Sequence, residues 1–163
     1  MRKLIAFAAM IALLATVGCS RSKEGANYLQ VSDDDPGMKA AIAKAKASVG
    51  DFVKAYHAQH PGTSAFYVKK PFPTPSGSVE HMWIEVLNEQ NGDLKGRIAN
   101  EAEDTREVKM GQQVSLKLSE ISDWKYQKGK KLVGGFTIRY LADRMPPKER
   151  EALLKEAGFE LDP

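Results

Sequence analysis

Cysteine is nearly absent from this chain: Cys19 is the only one in 163 residues. A disulfide framework and a cysteine-rich metal site are therefore excluded. Histidine is scarce as well, at His57, His60 and His81. His57 and His60 stand three apart near an expected helix end with no third ligand close in sequence, so no metal is expected. There is no HExxH, no serine in a nucleophile elbow and no phosphate loop, and Gly134-Gly135 reads as a hairpin glycine pair. No cofactor is called for. One apolar run stands out, Leu4 to Val17, and it is short of the ~20 residues a membrane span needs. A large charge of one sign is missing too, with 24 Lys+Arg against 21 Asp+Glu and a formal net charge of +3. With no basic recognition helix either, nucleic acid is not an expected partner.

What the chain does have begins at its start. Arg2 and Lys3 supply a positive n-region, Leu4–Val17 an apolar h-region, and Gly18 puts a small residue directly before Cys19. This order resembles the bacterial lipobox, in which the cysteine sulfur takes a diacylglyceryl group and becomes the new N-terminus. Thr16 departs from it, standing where leucine is usual. The expectation is a signal peptide over 1–18 and a lipidated Cys19 that anchors the protein to a membrane. Two or three acyl chains at ~0.8 kcal/mol per buried methylene hold firmly. Ser20, not aspartate, follows the cysteine. By resemblance to Gram-negative sorting signals this implies the outer membrane, with the domain facing the periplasm. Loss of Arg2 and Lys3 takes the basic count from 24 to 22 against 21 acidic residues, a mature charge of about +1.

Residues 19–35 read as a polar tether, whose sixteen residues after the cysteine reach at most ~55 Å. A single domain over 36–163 follows. Asp35 and Pro36 form a helix start, and Met38, Ile42, Ala45, Val49, Phe52 and Tyr56 make one apolar stripe on a long helix to about Ala58, weakest at Gly50. The period then changes to two. Strands are expected at Ala65–Lys70, Val79–Asn88, Leu94–Asn100 and Val108–Ser119, with Pro71–Gly77 a stiff loop and Asn91-Gly92 a hairpin turn. A last hairpin is expected to pair Ile121–Gln127 with Phe136–Leu141. A short helix from Pro146-Pro147 to Gly158 closes the chain. The fold class is α+β: five or six antiparallel strands with a long N-terminal and a short C-terminal helix packed on the sheet.

Several segments between Met38 and Leu141 carry a shared pattern. They are Phe66-x-Val68-Lys69, Glu80-His81-Met82-Trp83-Ile84-x-Val86, Gly96-x-Ile98-x-Asn100, Gly111-x-x-Val114, Ile121-Ser122-Asp123-Trp124-x-Tyr126 and Gly134-Gly135-Phe136-Thr137-x-Arg139. The pattern resembles the YegJ-like family of bacterial proteins, a domain of unknown function, over about two thirds of the chain. Gln112-Gln113 departs from it, where an acidic residue is expected after the glycine. The resemblance implies a compact α+β domain and no particular reaction.

Period-two alternation sets the candidate working surface. With Met82, Ile84 and Val86 facing the helices, His81, Trp83 and Glu85 face the other way, either covered or as a binding surface. Trp124 and Tyr126 share a face, as do Asp123 and Lys125. The aromatic pair suits a flat ligand, a glycan or a peptide strand, and equally suits a hydrophobic plug. Arg139, flanked by Phe136, Ile138 and Tyr140, needs an anionic partner, either Asp123 or Glu80 within the fold or a carboxylate or phosphate on a ligand. Trp83, Trp124, Tyr126, Arg139 and Lys69 are thus the candidate binding residues of a non-catalytic module. Its partners would be the membrane, through lipid on Cys19, and an envelope protein or glycan. The alternative is an envelope hydrolase using Glu80 and Asp123, which requires the two carboxylates ~5–10 Å apart across an open cleft. Nothing in the sequence sets an oligomeric state.

Overall fold

A computed structural model describes residues 34–162. Cys19, the expected signal peptide and most of the expected tether lie outside the described residues. Six antiparallel strands form one sheet: β1 (Thr63–Pro73), β2 (Val79–Gln90), β3 (Asp93–Ile98), β4 (Gln113–Lys117), β5 (Asp123–Lys128) and β6 (Lys131–Gly134). Their spatial order is β4-β3-β2-β1-β5-β6, so β1 is central and flanked by β2 and β5. Four α-helices accompany the sheet among the described residues: α1 (Pro36–Ala47), α2 (Val49–Ala58), α3 (Phe136–Ala142) and α4 (Pro147–Ala157). The α+β class expected from the sequence is the one observed.

The apolar stripe of the N-terminal segment lies against one face of the sheet, but on two helices instead of one. The break comes at Ser48, not at Gly50. Its hydroxyl donates to the Lys44 carbonyl at 2.8 Å, and its backbone opens to ψ 9°. A side chain competing for a helix carbonyl interrupts the regular ladder. Asp35 caps α1 by accepting from Met38 N at 2.8 Å, and it also accepts from the Tyr140 hydroxyl of α3. Phe52 is fully buried, edge-on to Phe66 and tilted against Trp124. Val68, Met82, Ile84, Leu94 and Ile98 complete the core beneath it. Each such side chain contributes about 1.5–3 kcal/mol by leaving water.

Three expectations need correction. Phe136–Leu141 is helix α3, not a strand, and the hairpin partner of β5 is the shorter β6, turning at Gly129 with φ 61°. Gly134 and Gly135 both take positive φ, which turns the chain off the sheet, and the amides of Phe136 and Thr137 are captured by the Asp123 carboxylate. The prolines at 71 and 73 belong to β1, not to a loop. Pairing with β5 stops at Lys69–Asp123, so beyond it β1 is an edge bonded to β2 alone, where a missing N–H is tolerated. The strand expected over Val108–Ser119 is only β4, because residues 99–112 form a loop and Leu118–Glu120 a 3-10 turn.

Candidate functional site

The helices α1 and α2 cover one face of the sheet, and the chemistry concentrates on the other. Directly paired residues share a face, so the register builds two adjacent rows there. One row runs Trp83–Lys69–Asp123 across β2, β1 and β5. The next runs Arg97–Glu85–Tyr67–Lys125 across β3, β2, β1 and β5. Arg97 and Glu85 neutralise one another at 2.6 Å on the exposed side. The C-terminal tail closes the other side: Phe159 is buried, and the backbone of Glu160 bonds to Lys130 and Leu132.

Lys125 occupies the middle of this arrangement. Its ammonium lies 4.7 Å from the Trp83 ring centroid, 5.1 Å from that of Tyr67 and 5.5 Å from that of Phe159. Among the described residues no carboxylate or hydrogen-bond acceptor contacts it. It borders a cavity of 290 Å³ lined by Tyr67, Trp83, Asn100, Lys125, Gln127 and Phe159. Lys69 approaches the same tryptophan at 5.2 Å and donates to the Thr137 hydroxyl at 3.2 Å. Burial pulls both lysines below the ordinary range, against the pull of Asp123; for Lys125 the neighbouring charge of Lys69 adds to the depression. Asn100 holds the rim, accepting from Trp83 N at 2.8 Å.

Asp123 is fully buried and wholly engaged. It accepts from Trp124 N at 2.8 Å, Phe136 N at 3.2 Å, Thr137 N at 2.8 Å and the Thr137 hydroxyl at 2.7 Å. Burial pushes its carboxyl up, opposed by these donors and by Lys69. Its structural work is to cap α3 and to anchor Lys69 through Thr137. Glu80 lies on the opposite face, beside Phe72. It accepts from the amides of Glu103, Asp104 and Thr105 at 2.9, 2.9 and 2.7 Å, which pins the 99–112 loop over the end of the core. Burial raises this carboxyl, but the three amides together hold it below its ordinary value. The two carboxylates therefore do not share a cleft, and the geometry lends the hydrolase reading no support.

The other expected binding residues separate as well. Lys69 and Trp83 stand together on the cavity face. Trp124 is on the helix face, 3% exposed, and donates through Nε1 to the Ala45 carbonyl at 2.9 Å. Tyr126 stacks between Phe66 and Trp124 as part of the same packing. Arg139, carried on α3, donates to the carbonyls of Gly134 at 2.9 Å and Leu132 at 2.6 Å, and neither Asp123 nor Glu80 is its partner. Lys125, Tyr67 and Phe159 were not among the expected site residues. For Lys125 and Tyr67 the signal existed in strand alternation; Phe159 reaches the site only through the tail. His57 pairs with the buried Glu89, tying α2 to the end of β2. Among the described residues no group of His, Cys, Asp and Glu is arranged to hold a metal ion, and no helix is long and apolar enough to cross a membrane.

Comparison with known proteins agrees with the motifs. Uncharacterized protein YegJ of Escherichia coli (strain K12) is 33% identical over 135 residues, covering 78% of this chain and 86% of that protein. A putative ankyrin repeat protein of Neisseria meningitidis serogroup B is 32% identical over 71 residues, 44% of this chain and 28% of that protein. No solved structure matches. The family model described as "Uncharacterized protein conserved in bacteria (DUF2314)" matches residues 35–161, which spans both helices of the N-terminal segment, the whole sheet and the tail carrying Phe159, and the chain belongs to that family.

Proposed function

We propose that this protein is an envelope lipoprotein whose single domain is a non-catalytic binding module, tethered by lipid on Cys19 to the outer membrane and facing the periplasm. Its working surface is the cavity face of the sheet, with Lys69, Trp83 and Lys125 at its centre. The observation that carries the reading is the Lys125 ammonium, held among three rings without an acceptor at the edge of a cavity. The ammonium is half-buried, and its ring contacts, worth about 0.5–2 kcal/mol, leave its hydrogen-bond donors without an acceptor among the described residues. Glu80 and Asp123, the only carboxylates put forward for catalysis, are both occupied by backbone donors.

Detergent-solubilised full-length protein, incubated with envelope extract and re-isolated, should retain a partner or small molecule detectable by mass spectrometry. Trp83→Ala should lose it while keeping the native circular dichroism spectrum. Identical retention by wild type and Trp83→Ala would sink the assignment of this face.

A further inference from the structure

The same cavity has a composition that selects a ligand class. Its walls are aromatic: Tyr67, Trp83 and Phe159 present rings to one point. Its charge is positive. Among the described residues Lys125 has no acceptor and neighbouring Lys69 has only a hydroxyl, and Asp123, whose charge acts on both, spends its oxygens on Trp124, Phe136 and Thr137. Glu85, in the same row as Lys125 but beyond Tyr67, is neutralised by Arg97 at 2.6 Å. Three converging rings by themselves would suit an organic cation. Two ammoniums already over those rings repel one, so the sign of the site is set by the lysines.

We propose that this cavity takes a small organic anion, a carboxylate or phosphate group on a flat apolar body, with Lys125 binding the anionic group, Lys69 adding positive charge from outside the lining, and the rings of Trp83, Tyr67 and Phe159 holding the body. The inference rests on the cavity face being the working surface. A volume of 290 Å³ holds roughly ten water-sized groups at ~30 Å³ each, which admits one ring and its substituent and no polymer segment. An arriving anion gives Lys125 the acceptor it lacks, in surroundings dry enough to make a charge-assisted bond strong. Gln127 and the Asn100 amide group on the rim are neutral and add polar contacts without reversing the charge.

Titration calorimetry on the detergent-solubilised full-length protein with benzoate, benzyl alcohol and inorganic phosphate tests this. Benzoate should bind, and both other probes should bind at least about tenfold more weakly, since each carries only half of the recognised chemistry. Lys125→Met keeps the length and apolar stem of the side chain. It should cost at least about tenfold in benzoate affinity, with at most a small fall in the melting temperature measured without ligand, because no protein acceptor is lost and the methionine thioether keeps contact with the rings. Trp83→Leu should weaken benzoate and leave phosphate unchanged. Equal binding of benzyl alcohol and benzoate would overturn the anionic class while leaving the cavity as a binding site. Unchanged benzoate affinity in Lys125→Met, or no binding of benzoate, would overturn the proposal. Retention of an extract component lost in Trp83→Ala would in either case leave the broader reading intact.

Discussion

Asp123→Ala is the substitution whose consequence the structure sets most sharply. The carboxylate is fully buried and accepts four hydrogen bonds, three of them from the first turn of α3. Removing a helix cap costs about 1 kcal/mol. Leaving a buried donor without an acceptor, as at Trp124 N, costs about 1–3 kcal/mol. Lys69 reaches Asp123 only through the Thr137 hydroxyl, so losing the carboxylate leaves its ammonium less compensated at a cost below the roughly 3–5 kcal/mol of a broken direct pair. These contributions overlap, so the expected loss is about 4–5 kcal/mol, a large part of the 5–15 kcal/mol typical of a domain. Urea unfolding followed by tryptophan fluorescence measures it, and faster hydrogen exchange at Phe136 and Thr137 locates it. The decisive comparison is the double variant Asp123→Ala/Lys69→Met. Removing the stranded ammonium should recover about 2 kcal/mol, making the double variant more stable than the single one. A single variant within about 1 kcal/mol of wild type, or a double variant less stable than the single, refutes the argument that Asp123 holds Lys69 and α3 in place.

Gly50→Ala and Gly37→Ala form a matched pair. A Cβ at Gly50 meets nothing within 4 Å, so helix propensity should stabilise the domain by up to about 1 kcal/mol, while at Gly37 the same atom falls 2.2 Å from Tyr140 and thermal melting should drop. Glu80→Gln should destabilise at neutral pH and speed exchange of the 103–105 amides. Because the folded Glu80 carboxyl lies below its ordinary value, its contribution is present above about pH 4.5 and is lost as pH falls through the folded value; the wild-type advantage over the glutamine variant should shrink correspondingly in acid. Cys19→Ser should appear in the soluble fraction or as an unprocessed precursor, and membrane association at normal mature mass would exclude lipid attachment at this residue.

The periodic elements were legible because their signal is local. Met82, Ile84 and Val86 alternate, and they line the core. Asn91-Gly92 marks the turn between β2 and β3. Phe136, Ile138 and Tyr140 alternate equally well, yet the segment is helical. The decision was made by a carboxylate thirteen residues away, which no window on that segment contains. The ambiguity of Trp124 had a similar origin: an indole donating to a helix carbonyl 79 residues distant becomes core by tertiary contact, not by its own neighbours in sequence.

By itself the sequence determined the α+β class, the family and the alternation that assigns each strand residue to a face, because side-chain period and turn chemistry act over a few residues. Only the tertiary structure decided which of those residues meet. Strand order set Lys125 beside Tyr67, and Lys69 between Trp83 and Asp123; Phe159 arrives over them from the far end of the chain. Whether a lysine is solvated, paired or left with rings for company depends on where four separate segments come to rest. That is a matter of burial and charge at one point in space, and no stretch of sequence holds it.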